Sequence, residues 1–76
     1  MEVINLLSEQ LKFLRKRDKL SQKELAEKLF VSQQAVGKWE KDTSTPNPEM
    51  LAKIADIFGV SIDFLIGRAS TDLPFP

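Results

Sequence analysis

Neither cysteine nor histidine occurs anywhere in this 76-residue chain. A domain of that size buries only about 60–65 % of its unfolded surface, and small domains often rely on disulfides or a structural metal. With thiols and imidazoles absent, disulfides and the usual zinc sites are excluded, as are thiolate nucleophiles and imidazole bases. Efficient helix packing remains as the way to hold the chain together. The composition fits a folded domain: 42 % of residues are hydrophobic, and eleven Lys/Arg balance eleven Asp/Glu. A disordered chain pairs low hydrophobicity with high net charge. No apolar run approaches the ~20 residues of a membrane span, and no charged segment with an apolar core marks export. The expectation is one soluble, cytoplasmic domain with no catalytic residues, no cofactor, no bound metal and no membrane partner.

Hydrophobic spacing and capping residues predict five helices and no strand. Val3, Leu7, Leu11 and Leu14 form one stripe of a helix from about Glu2 to Arg17, with Arg15, Lys16 and Arg17 at its negative end. Ser21-Gln22-Lys23-Glu24 reads as a capping box opening a short second helix that buries Leu25, Ala26 and Leu29. Ser32 caps a third helix over Gln33–Lys41, whose inner face carries Val36 and Trp39. Asp42 to Pro46 is a loop by composition. Asn47-Pro48 opens a fourth helix lined by Met50 or Leu51, Ile54, Ala55 and Phe58, and Gly59 suits its left-handed end. Ser61 caps a fifth helix, Ile62 to Ile66, closed by Gly67. The predicted fold is therefore all-α: a compact five-helix bundle over residues 1–67, with 68–76 as a tail or the start of a linker.

Charge is divided along the chain. Residues 1–41 hold nine Lys/Arg against six Asp/Glu, a balance of +3, and residues 42–76 hold two against five, a balance of −3. The first part could therefore face an anion. Helices two and three, joined by a turn of three or four residues, have the apolar skeleton of a helix-turn-helix in Leu25, Leu29, Val31, Val36 and Trp39, with small Ala26 at the close approach. The capped start of a helix, as at Ser32, presents unpaired N–H groups and partial positive charge suited to a phosphate. Gln33 and Gln34 occupy the first exposed positions of the third helix. Such residues are often simply solvated, but their place directly after that cap points to nucleic acid. A glutamine amide donates and accepts, matching the N6/N7 edge of adenine in the major groove. Lys38 lies on the same outward side. Gly37 removes a side chain mid-helix at a cost of roughly 1 kcal/mol relative to alanine, which closer approach to a groove could offset.

Five strings carry a family likeness: Leu11-Lys12-Phe13-Leu14-Arg15, Leu20 through Ala26, Val31-Ser32-Gln33-Gln34, Lys38-Trp39-Glu40, and Gly59 through Leu65. In this order and at these spacings the chain resembles the lambdoid-repressor (Cro-like, XRE) family of DNA-binding domains, from about Leu7 to Ile66. The resemblance implies a lambda repressor-like helix-turn-helix fold and a sequence-specific transcriptional repressor, from phage or bacterium, that binds a two-fold operator in double-stranded DNA as a homodimer. It implies that Gln33, Gln34 and Lys38 read bases. It also implies that Gln22 contacts a phosphate and braces the first reading glutamine. Arg15 and Glu40 would form an ion pair, with the arginine also facing a phosphate, and the loop of Lys41, Thr43 and Ser44 would touch the DNA backbone. Ile62, Phe64, Leu65 and Ile66 exceed what one short helix can bury; core packing accounts for about half of them, and for the surplus the resemblance implies the two-fold contact.

The chain departs from the pattern of the family it resembles in the turn, where many members have glycine and this sequence has Phe30. Either the turn opens differently, or packing of the ring offsets the strain of a left-handed backbone. No arginine is available in the loop for the minor groove. Leu6 and Phe13 either close the edge of the core or mark an apolar patch for a protein partner. In the second case the chain would be an antitoxin or other interaction module of the same fold, with a toxin or antirepressor as partner.

Overall fold

The computed structural model describes residues 7–67, which form five helices: α1 (Leu7–Arg17), α2 (Gln22–Leu29), α3 (Gln33–Glu40), α4 (Pro48–Phe58) and α5 (Ile62–Leu65). The predicted start of the first helix, with Val3 and Leu6, and the tail from Arg68 lie outside the described residues. α3 and α5 each end one residue earlier than their spacing predicts, with Lys41 and Ile66 as C-caps.

Side-chain caps start four of the helices. Ser21 Oγ accepts from Glu24 N at 3.0 Å while Glu24 Oε1 accepts from Ser21 N at 2.8 Å, so both arms of the capping box are closed. Ser32 and Ser61 accept from Ala35 N and Phe64 N, and Asn47 accepts from Met50 N ahead of Pro48. Each cap satisfies a donor that the helix itself leaves without a partner.

The helix ends follow one design. After α1, α2, α3 and α4 the chain passes through a left-handed residue, Lys19, Phe30, Asp42 and Gly59 in turn. In each case the next residue's N–H reaches back to a carbonyl one turn inside the helix: Leu20 to Arg15, Val31 to Ala26, Thr43 to Lys38 and Val60 to Ala55. This is the Schellman arrangement. Leu20, Val31 and Val60 then lay their side chains against the core, while Thr43 Oγ1 donates to Lys38 O at 3.2 Å.

Phe30 resolves the question raised by the missing glycine, and neither alternative holds. The turn keeps the left-handed geometry, with φ 61° and ψ 42°, and the ring is 89 % exposed, so packing does not offset the strain. A left-handed backbone costs an L-residue roughly 1–2 kcal/mol. Phe30→Gly is therefore expected to stabilise the fold by about 1 kcal/mol, since glycine's greater unfolded-state freedom cancels part of the gain. Urea unfolding checks this; a lower midpoint would show that the exposed ring contributes to the fold.

The core sits where the helices converge. Leu11, Leu14, Leu25, Leu29, Val36, Ile54 and Leu65 are fully buried, with Leu7, Ala26, Trp39, Ala55 and Phe58 nearly so. α3 packs across both α2 and α1, and α5 bridges α4 and α1. Arg17 ties the C-terminal end of α1 to that of α4, donating to Phe58 O at 3.1 Å while its Nε holds Asp18 at 2.8 Å. Pairing with Arg17 lowers the Asp18 carboxyl below its ordinary value. Gln10 Nε2 donates to Phe64 O and fastens α5 to α1.

Candidate nucleic-acid interface

Val36, Trp39 and Glu40 turn inward from α3, which leaves Gln33, Gln34, Gly37, Lys38 and Lys41 along its opposite side. The spacing is what a 3.6-residue repeat dictates. Gln33, Gln34, Lys38 and Lys41 are exposed, and Gly37 is half-buried. Together with Gln22 from α2 they line an open groove of about 490 Å³. Three amides and two ammonium groups thus converge on a concave surface, a combination suited to base edges and phosphates.

Beneath this face lies a carboxylate held from two helices. Glu40 Oε2 accepts from Arg15 Nε at 2.6 Å and Oε1 from Arg15 Nη2 at 3.0 Å, a two-pronged pair. Arg15 Nη1 donates to Leu20 O at 2.9 Å. The side chains are 13 % and 4 % exposed, so this is an interior brace rather than a solvated surface bridge. Hydrogen bonding to Glu40 raises the Arg15 pKa above its already high value, against the effect of burial. A third donor, Gln22 Nε2, lies 3.1 Å from Glu40 Oε1. Arg15, Glu40 and Gln22 therefore join α1, α3 and α2 through one buried group and fix how α3 is presented.

Other candidates are placed less uniformly. Ser32 is exposed at the start of α3 and its Oγ serves as the cap. Lys41, Thr43 and Ser44 are exposed at the other end, with the Thr43 hydroxyl folded back on Lys38 O. Leu65 is fully buried and belongs to the core, which removes it from the surface contact expected of it. Ile62 is exposed, and Phe64 and Ile66 are half-buried. Phe13 is 58 % exposed and so does not close the core edge. The Gln22–Glu40 contact was missed from sequence. Its only sequence signal is a polar residue in the first turn of α2 opposite an inward-facing acid on α3.

Among the described residues no group of three or more Asp or Glu is placed to hold a metal ion, and no helix is long and apolar enough to cross a membrane.

Comparison with known proteins agrees with this geometry. The profile of the helix-turn-helix family (HTH_3) matches residues 11–65. The chain is similar to the HTH-type transcriptional activator BcrR of Enterococcus faecalis, 44 % identical over 59 residues, covering 78 % of this chain and 29 % of that protein. It is similar to repressor protein CI of Enterobacteria phage phi80, 40 % identical over 60 residues, covering 79 % of this chain and 25 % of that protein. Among solved structures, the P22 c2 repressor in complex with a synthetic operator superposes with a TM-score of 0.79 at 29 % identity, over 86 % of this chain and 98 % of that one. The chain spans less than two thirds of the length of these two sequence relatives. Residues 11–65 place it in the helix-turn-helix family, in the XRE-type branch that includes phage repressors.

Proposed function

We propose that this chain is the sequence-specific DNA-binding part of a transcriptional regulator, a phage or bacterial repressor that occupies a two-fold operator as a dimer and acts in the cytoplasm. One observation carries the reading: Gln33, Gln34, Lys38 and Lys41 face a common groove on the outer side of a helix that a buried carboxylate locks in place. Gln33 and Gln34 read base edges with Lys38 beside them. Lys41, Ser32, Thr43 and Ser44 meet the phosphates at the two ends of α3. Ile62, Phe64 and Ile66 form the two-fold contact. No covalent chemistry is involved, in keeping with a sequence that has neither histidine nor cysteine.

Selecting bound duplexes from a random pool tests this reading. The expected result is a palindromic consensus with half-sites about 34 Å apart, one turn of B-DNA. A pool that emerges unenriched would remove the DNA-reading role. It would favour a protein partner, an antirepressor or a toxin, whose contact would centre on the exposed Phe13.

A further inference from the structure

Phe13 stands between two ties that fasten α1 to the rest of the chain. Three residues before it, Gln10 Nε2 donates to Phe64 O of α5 at 3.1 Å. Four residues after it, Arg17 Nη2 donates to Phe58 O at the end of α4, also at 3.1 Å. Positions at these spacings share one side of a helix, so Phe13 lies along the seam where α1 meets the junction of α4 and α5. Its ring is 58 % exposed there, and Ile62, which opens α5, is 39 % exposed. Arg15 projects from nearly the opposite side of α1 and holds Glu40 beneath the outward face of α3. A body seated on the seam would therefore leave Gln33, Gln34 and Lys38 uncovered.

Two charges accompany these apolar groups. Lys16, one turn beyond Phe13, and Asp63, next to Ile62, are both exposed. Neither forms an ion pair with another described residue. α1 thus offers a ring and a cation, α5 offers an aliphatic group and an anion, and neither charge is matched within the described chain. A second copy supplies both complements at once. In a two-fold contact α1 of each copy meets α5 of the other, so the same pairing is made twice. A formal net charge of zero puts no long-range repulsion between two such copies.

We propose that Phe13 and Lys16 of α1 belong to the contact between two copies of this chain, seated against Ile62 and Asp63 of the second copy. This inference rests on the two-fold assembly proposed above and moves its centre from α5 alone to the seam of α1 and α5. So few side chains fall short of the roughly 800 Å² per partner that a stable complex buries. The dimer is therefore weak in free solution, and it strengthens where DNA holds two copies side by side.

Sedimentation equilibrium of the full chain without DNA, at concentrations up to the millimolar range, tests the contact. The unaltered chain is expected to dimerise, and Phe13→Ser to associate about tenfold more weakly. Lys16→Glu and Asp63→Lys each set like charges against one another in both halves of the contact, and each should weaken it about five- to tenfold. Mixed in equal amounts, these two variants should recover most of the association. A pair with one of each has Glu against Lys in one half and Lys against Asp in the other. Changes confined to a single fold cannot produce recovery on mixing. A chain that stays monomeric throughout this range would overturn the proposal, as would two variants that recover nothing when mixed. Unchanged association in Phe13→Ser, with loss in Ile62→Ser, would confine the contact to α5 and also overturn it. None of these results depends on DNA, so an unenriched duplex pool would defeat the DNA-binding reading separately.

Discussion

Glu40→Ala is expected to destabilise the fold by about 3 kcal/mol, lowering the urea midpoint by about 2–3 M. The loss comes chiefly from what remains. Arg15 keeps its charge with its side chain only 13 % exposed, and Gln22 Nε2 loses its acceptor. Breaking a buried pair by removing one member typically costs 3–5 kcal/mol, and the residual exposure of Arg15 places this case at the lower end. A domain of this length has a total stability of roughly 4–11 kcal/mol, so the variant would be marginal. Arg15→Met combined with Glu40→Leu should recover more than half of the loss, because no uncompensated charge then stays inside. Equilibrium unfolding of the two variants distinguishes this brace from an ordinary surface bridge, whose removal would cost under about 1 kcal/mol.

Gln33→Ala should leave stability nearly unchanged and weaken binding to the selected duplex by about 1–3 kcal/mol, roughly 5- to 150-fold. Gln33 is an exposed residue at the start of α3, so its truncation opens no cavity. The weakening should concentrate at one base position, with scrambled DNA bound as before. Lys41→Ala provides the contrast: it should weaken all duplexes alike and reduce the slope of log affinity against log salt by about 1. Titrations on both duplexes at several salt concentrations check the pair. If Gln33→Ala bound consensus and scrambled DNA with unaltered affinity, the outward face of α3 would not be the reading surface.

The features that could be read from the sequence were those set by neighbours along the chain. Ser21, Ser32, Asn47 and Ser61 each cap a helix with a partner three residues on, and the stripe through Leu7, Leu11 and Leu14 lies within one helix. Family resemblance extended this to Arg15 and Glu40, which are 25 residues apart. Two kinds of feature were not legible. The backbone at Phe30 is left-handed because the Schellman bonds of Phe30 and Val31 impose it, although the residue's own preference opposes it. The orientation of Gln22 depends on a carboxylate 18 residues away and on which end of an amide faces it. Sequence spacing carries no record of either. Which apolar residue after Ser61 turns inward was open for a related reason: four apolar residues in the five from Ile62 to Ile66 exceed one buried face, and packing against α1 and α4 decides that Leu65 is buried.

The left-handed helix ends at Lys19 and Phe30 also bear on how the domain can diverge. Each is a position where glycine would relieve conformational strain without altering the outward side of α3. Mutations that retarget a recognition surface commonly erode folding, and a chain near its stability threshold tolerates few of them. Glycine at these two turns would supply a margin in which replacements at Gln33, Gln34 or Lys38 could accumulate, so, with the role proposed for that face, a lineage acquiring new targets has a route that begins away from it.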